Sequence, residues 1–373
     1  MSKLDVVPVS TKSELNEFID IPWSIYPPQS LWVPPLKTSV RRLLDTRKHP
    51  FWETAEQILF LARRGGEAVG RIAGIVDRNY NQYHNSEIGM WGFFECRDDP
   101  EAAEGLLSAV ERWVSDKGMT RLMGPFNPST NYEVGMLIEG FEYPPVVMMP
   151  YNHSYYERLV QGCGFTKEKD LLALKVVQDD RASQRIERLA RRVRKNSNIS
   201  VRPGSRRNLE AQVALLAELY CHAWSENWGF VPLTAGEIHE MARNLLPIME
   251  EKFVTFFYYG EDPAGVMLLL PDVNPILKSL NGRLGLTGLI KMFFFRRYVR
   301  GIRGVLLGIK KQYQKLGLPF VAVDYLNNLL RGNMKYEYLE FGWNLEDNVS
   351  VNKLELESGA RVYKRYRIFG KSL

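Results

Sequence analysis

Three lysines and a glycine near the C-terminus are the residues whose types and spacing best suit chemistry. The run Lys310-Lys311-Gln312-Tyr313-Gln314-Lys315-Leu316-Gly317 follows an apolar stretch, Val305-Leu306-Leu307-Gly308-Ile309, that reads as a buried strand. Leu318-Pro319 then leads into the apolar run Phe320 to Leu326, a core-facing helix; Pro319 suits its first turn, where no intrahelical N–H is needed. A strand feeding a glycine-containing turn and then a helix aims free backbone N–H groups at one point. The helix dipole adds positive potential there, and the chemistry this favours is the holding of a phosphate or pyrophosphate. By itself the pattern is also that of an ordinary turn.

The elements that would position this turn follow in order. Tyr336 to Trp343 alternates and is rich in aromatics, as strands are. Glu346-Asp347-Asn348 supplies capping residues for a helix through Ser358, closed by Gly359, and Val362 to Phe369 alternates as a last strand. The N-terminal half repeats the order. Two runs, Ile58–Ala62 and Ala68–Val76, flank a hairpin turn at Arg63-Arg64-Gly65-Gly66-Glu67, and Met90–Phe94 is a third strand. Asp98-Asp99-Pro100-Glu101 starts a helix with core positions Leu106, Leu107, Val110 and Trp113, followed by a strand at Leu122–Phe126. Its strand-to-helix turn, Glu95-Cys96-Arg97-Asp98-Asp99, is acidic, and an acidic loop repels pyrophosphate. Near the N-terminus, a short helix from Ser10 should stop before Pro22, because proline disfavours helical geometry in the residue preceding it. An aromatic, proline-rich connector follows through Pro35, either a packed loop or a lid over a hydrophobic ligand.

The order strand, basic turn, helix, strand, Asn-led helix, strand resembles the core of the GNAT superfamily of N-acetyltransferases. In that family the turn reads Gln/Arg-x-x-Gly-x-Gly/Ala, and its amides hold the pyrophosphate of an acyl-CoA. Gln314-Lys315-Leu316-Gly317-Leu318-Pro319 matches at the Gln and the first Gly and departs at Pro319. The resemblance implies an α/β fold with a mixed sheet in two tandem GNAT-like domains: 1–178 without cofactor, a basic linker helix at 179–198, and 199–373 binding acyl-CoA. It implies cofactor contacts at Leu307, Gly308, Ile309, Gln314, Lys315, Leu316, Gly317, Leu318 and Asn348, with oxyanion stabilisation from N–H groups of the Val305–Ile309 strand. The acceptor amine must be neutral to attack a thioester, so a carboxylate takes its proton: Glu340 first, Glu226 second. Many members protonate the thiolate with a Tyr four residues before the helix-ending Gly; Glu355 stands there, leaving Tyr325 and Tyr338 as substitutes. Polar residues Asn127, Ser129, Asn131, Tyr151 and Asn152, with Asn227 and Trp228 in the other half, are candidate acceptor contacts.

Composition sets the limits. The 373 residues are 45% hydrophobic, enough for real cores in about two or three domains. A net charge of +6 fits phosphorylated ligands or an anionic membrane surface and does not by itself argue for nucleic acid. Cys96, Cys163 and Cys221 lie far apart with no CxxC or Cys/His cluster, so no metal is expected and the compartment is expected to be reducing. No apolar run reaches the ~18 residues of a membrane span, and no signal peptide is evident, which points to the cytoplasm. Leu286 to Arg300 mixes apolar and aromatic residues with Lys291, Arg296, Arg297 and Arg300, as an interfacial helix at the inner face of a membrane would, or a core helix with snorkelling arginines.

The expected activity is acyl transfer from acyl-CoA to an amine, a small molecule or a lipid. A sphingoid base is a concrete candidate acceptor, since bacterial ceramide synthases resemble this superfamily. Two other classes stay open at this point: transfer from aminoacyl-tRNA, and a non-catalytic acyl-CoA-binding protein at a membrane.

Overall fold

A computed structural model describes residues 3–176, 180–294, 297–332 and 336–373. The chain divides into two units. The first holds the chain up to Leu171 with Asn274–Phe293 and Lys364–Leu373; the second holds Leu172–Val273 and Phe294–Tyr363. The boundaries expected from sequence, 1–178, a linker at 179–198 and 199–373, thus differ from the observed division at the two late segments that pack in the first unit and at Leu172, where the second unit already begins. A hydrophobic pattern says which face of an element is buried and not which neighbour covers it.

In the first unit, β1 (Leu4–Pro8), β2 (Ala55–Arg64), β3 (Glu67–Asp77) and β4 (Ile88–Cys96) pair antiparallel in sequence order. Between them lie α1 (Lys12–Ile25), α2 (Lys37–Leu43) and α3 (Arg78–His84). The crossover helix α4 (Pro100–Asp116) then leads to β5 (Arg121–Gly124), which runs parallel to β4 over Ile88–Met90. Helix α4 buries Ala102, Ala103, Leu106, Leu107, Val110 and Val114 against Phe60, Ile72, Trp91 and Phe94, each large side chain contributing about 1.5–3 kcal/mol. Short strands β6 (Phe126–Asn127), β7 (Glu133–Val134) and β8 (Met136–Glu139), helix α5 (Tyr155–Gly162) and the first half of β9 (Thr166–Val176) follow.

Helix α1 corrects one expectation, since it continues through Pro22 to Ile25. A proline inside a helix leaves the carbonyl four residues earlier without its bond. That carbonyl is Phe18 O, and Arg71 Nη1 donates to it at 2.7 Å. A guanidinium from the sheet supplies the hydrogen bond that the helix cannot.

In the second unit, α6 (Asp180–Val193) precedes β10 (Ile199–Pro203), α7 (Leu209–Trp224), α8 (Ala235–Leu245), β11 (Val254–Tyr259) and β12 (Asp262–Pro271). Helices α9 (Asn274–Leu280) and α10 (Leu286–Phe293) belong to the first unit. The second resumes with β13 (Gly301–Ile309), the short α11 (Lys311–Gln314), α12 (Leu318–Arg331), β14 (Tyr338–Leu345), α13 (Val349–Glu357) and the start of β15 (Ala360–Ser372). Its strands run in the order β14-β13-β12-β11-β10, antiparallel except for the parallel pair β13–β14. Each unit therefore contains one strand–helix–parallel strand crossover. The expected linker helix α6 packs on α12, where Arg194 is hydrogen-bonded to the buried Asp324. The long helix expected over Leu286–Arg300 is shorter: α10 ends at Phe293, and Phe295 and Arg296 lie outside the described residues.

Glu355 on α13 is buried and accepts a 2.6 Å bond from Asn344 Nδ2 on β14. Burial pushes its carboxyl up to about 8, the Asn344 bond partly opposing this. The folded state therefore holds a proton that the unfolded chain releases near pH 4.5. Its contribution to stability is fully present below that pH and is lost as pH rises toward 8, a change on the order of a few kcal/mol. Glu355→Gln should flatten this decline, so the melting-temperature difference between variant and wild type should move in the variant's favour from pH 5 to pH 8. Parallel curves across that range would show that Glu355 is ionised in the fold.

Candidate active site

A cavity of about 430 Å3 lies in the first unit. That volume is within the range of small-ligand pockets. Trp23, Trp32, Val33, Pro35 and Leu36 from the proline-rich connector form one wall, and Val147, Met148, Met149 and Pro150 another. The connector is fixed by aromatic stacking. Trp32 stacks on Tyr26 at 4.7 Å between ring centroids, and Tyr26 stacks in turn on His153 at 4.7 Å. Such walls suit an aliphatic ligand.

Two carboxylates, Glu95 and Glu133, line this apolar space, and Glu95 is the buried one. Glu95 is the penultimate residue of β4, just past a bulge, where Phe93 takes a left-handed φ of 50° and Phe93 and Phe94 together stand opposite Ile72 of β3. The bulge leaves Glu95 directly across from Arg71. Glu95 Oε2 accepts from the phenols of Tyr26 at 2.8 Å and Tyr156 at 2.7 Å. Its Oε1 is 3.9 Å from Arg71 Nη2, too far for a hydrogen bond. Burial raises the Glu95 pKa above the ordinary carboxylate value, while Arg71 and the two phenols pull it back. Burial also holds both phenols well above their usual pKa, so they remain donors. The result is a buried carboxylate with one oxygen oriented by two donors and the other without a hydrogen bond among the described residues. It can take a proton from an amine entering the cavity.

The two crossovers differ where strand meets helix. In the first unit, Asp99 accepts from Ala102 N at 3.1 Å and caps α4, and Arg64 holds the same carboxylate at 2.9 Å. An anion of the chain's own already sits at this helix N-terminus. The space beside β4 is filled as well: Phe93 N donates to Asn127 Oδ1 at 2.6 Å, and a Cβ on Gly92 would lie 1.6 Å from Phe126 O. In the second unit, α12 begins at Gly317, with φ 82° and no side-chain cap, and Lys311 and Lys315 stand exposed beside it. Strand β13 pairs with β14 only over Gly301–Gly304, so Val305 to Ile309 have no partner on that side among the described residues. Several turn amides are already bonded within the turn: Tyr313 N to Lys310 O, Leu316 N to Tyr313 O, Gly317 N to Gln314 O and Phe320 N to Gly317 O. An anion would be held here by lysine charge and the α12 dipole more than by a run of free amides.

Of the acceptor residues expected from sequence, Asn127, Tyr151 and Asn152 line the cavity. Asn152 bonds Leu137 N at 2.7 Å and Leu137 O at 3.0 Å, which fixes β8, and Tyr151 donates to Phe141 O at 3.0 Å. Asn131 is outside the lining, and Asn227 and Trp228 are half-buried in the turn after α7 of the second unit. Glu340 is fully buried across from Arg303, with no surface open to an amine. Glu226 is exposed and paired with Lys311. Tyr325 lies 3.5 Å from Lys252 O, and Tyr338 donates to Asp272 at 2.6 Å. Leu307 is half-buried on the unpaired part of β13, followed by the buried Gly308 and Ile309; Gln314 Nε2 donates to Ile309 O at 3.0 Å, Lys315 and Leu316 are exposed, and Leu318 is buried at the start of α12. Asn348 caps α13 by accepting from Val351 N at 3.4 Å. Sequence reasoning missed Glu95, Tyr26, Arg71 and Tyr156. A lone carboxylate ending the apolar run Met90–Phe94 was the one available signal, and it merged with the acidic turn after it.

No group of three His, Cys, Asp or Glu among the described residues could hold a metal ion. No helix of the described residues is long and apolar enough to cross a membrane. Two crossover units of this kind define a tandem GNAT protein. A solved tandem GNAT protein from the clavulanic acid biosynthesis pathway superposes with a TM-score of 0.56 at 11% identity, covering 99% of this chain and 98% of its own. No family model matches the sequence. The chain is 33% identical over 380 residues to the bacterial ceramide synthase of Caulobacter vibrioides, covering 99% of this chain and 98% of that protein. Protein YghO of Escherichia coli is 31% identical over 373 residues, with 97% and 94% covered. The chain belongs to this bacterial family of tandem GNAT-type N-acyltransferases.

The Tyr156 phenol also accepts from Cys96 N at 3.1 Å. Tyr156→Phe should therefore strand a backbone donor and remove one Glu95 bond, costing about 1–3 kcal/mol in urea denaturation. An unchanged midpoint would mean that water replaces the phenol.

Proposed function

We propose that the enzyme transfers an acyl group from acyl-CoA to the primary amine of a long-chain, sphingoid-type base. The observation that carries this reading is the cavity of the first unit, apolar on its walls and lined by a buried carboxylate, Glu95, that two phenols orient. An aliphatic chain gains by leaving water for such walls, and an ammonium group pairs with Glu95. Glu95 takes the amine's proton, the freed nitrogen attacks the thioester carbon, and the C–S bond breaks. The attacking nitrogen gives up a second proton, which the departing thiolate takes to leave as the free thiol, and the product is an amide. A carboxylate with a raised pKa is the better base for this step.

The donor reading rests on the second unit. The edge of β13 past Gly304, unpaired among the described residues, offers backbone groups to an extended thioester arm, and Lys311, Lys315 and the start of α12 offer positive potential to its phosphates. The name of the Caulobacter vibrioides relative supports a sphingoid acceptor.

Glu95→Gln keeps the shape and removes the basicity. It should lower kcat by roughly 10²–10⁴-fold with donor affinity retained, measured by mass spectrometry of the amide formed from a long-chain amine and an acyl-CoA. The low-pH limb of the wild-type profile should report Glu95, and Tyr26→Phe should move it to higher pH, because losing a donor to the carboxylate raises its pKa. Near-normal turnover in Glu95→Gln would remove the role.

For the donor, Lys315→Glu should weaken CoA binding in titration calorimetry about tenfold or more by reversing charge beside α12. An unchanged affinity would place the phosphates elsewhere.

A further inference from the structure

Helix α10 is turned inside out relative to a core helix. Its large apolar residues Leu286, Leu289, Ile290 and Phe293 follow the i, i+3, i+4, i+7 spacing of one helical face and are 81%, 54%, 57% and 80% exposed. The opposite face carries Gly288, where an added Cβ would lie 2.9 Å from Leu280 Cδ2 of α9. A glycine, not a leucine, makes the contact with α9, and the apolar stripe is left to the outside. Single exposed leucines need no explanation, whereas four on one face do.

The charge along this stretch of chain is of one sign. No Asp or Glu occurs between Asp272 and Asp324, while Lys278, Arg283, Lys291, Arg297 and Arg300 all fall in that interval. Arg283 is exposed just before α10, and Lys291 in its last turn reaches Ser279 Oγ at 3.1 Å. Further along the chain, the Arg297 guanidinium lies 4.9 Å from the Phe294 ring centroid, both side chains exposed. Apolar residues that insert and cations that meet phosphates are what a surface rich in anionic lipid complements.

We propose that the outward face of α10 docks the protein on an anionic lipid bilayer. Leu286, Leu289, Ile290 and Phe293 enter the headgroup boundary, and Arg283 and Lys291 sit at the phosphates. Helix α9, on which α10 packs, supplies Asn274 and Leu277 to the cavity lining. Docking thus brings one wall of the cavity to the lipid in which a long-chain amine resides. That purpose rests on the acceptor reading above; the docking itself does not.

Flotation of the full chain tests it, using phosphatidylcholine vesicles with and without phosphatidylglycerol at low and high salt. The wild type should float with the anionic vesicles and at least about tenfold less with neutral vesicles or at high salt. Leu286→Ser/Phe293→Ser and, separately, Arg283→Glu/Lys291→Glu should each lower flotation about tenfold while melting as cooperatively as the wild type. Absence of wild-type binding to anionic vesicles, or binding indifferent to the Leu286→Ser/Phe293→Ser change, would overturn the proposal. So would a dimer in sedimentation that dissociates in that variant without any vesicle binding, since the face would then belong to a second copy. Turnover of a long-chain amine in detergent micelles reads the acceptor assignment alone: if it fails while flotation behaves as stated, docking stands and the sphingoid reading falls.

Discussion

Burying Glu95 is the constraint from which the cavity follows. A carboxylate taken out of water is costly unless donors and charge come with it. Here they arrive from three separate stretches: Tyr26 at the end of the first helix, Arg71 across the sheet, and Tyr156 on α5. Each donor fixes the element that bears it. Tyr26 anchors the connector that walls the cavity, and Tyr156 also binds the backbone at Cys96. The group that accepts a proton in the proposed reaction is therefore also the group around which the pocket is assembled.

The same crossover is put to different uses in the two units. In the first, the chain fills its own opening: Asp99 occupies the helix N-terminus and Phe126–Asn127 lies against β4. In the second, the corresponding helix start has no side-chain cap and the strand edge past Gly304 is unpaired on that side among the described residues. Filling the first opening leaves that unit free to shape a cavity, and keeping the second open leaves backbone and charge available to an extended anionic molecule. One architecture repeated can thus serve two ligands of opposite character, one aliphatic and cationic, the other polyanionic.

Much of the fold was legible because it is written in local chemistry. The Arg64–Glu67 turn, the apolar stripe of α4 with Leu106, Leu107 and Val110, and the glycine start of α12 all follow from patterns a few residues long. Asn127, Tyr151 and Asn152, polar residues after strands, do line the cavity. The Glu95 cluster was not legible, since residues 26, 71, 95 and 156 share no spacing and meet only through the sheet register. The extent of α1 was misread for a related reason: the proline rule is local, and the bond that rescues the helix comes from Arg71, far along the chain. The placement of Asn274–Phe293 in the first unit was equally beyond reach, because apolar periodicity names a face and not its partner.

The bond between Arg71 and the Phe18 carbonyl also shapes how this sequence can change over time. By helix propensity, almost any replacement of Pro22 would be an improvement. In this fold such a replacement would restore an N–H that competes for the Phe18 carbonyl and would take from a buried guanidinium its one hydrogen-bond acceptor among the described residues. Replacing Arg71 alone leaves that carbonyl without a donor and Glu95 without its nearest cation. Neither position can drift by itself. The two are an epistatic pair, reachable or escapable only by joint substitution, and a helix-breaking residue is thereby kept in a helix by the needs of a charge on the neighbouring sheet.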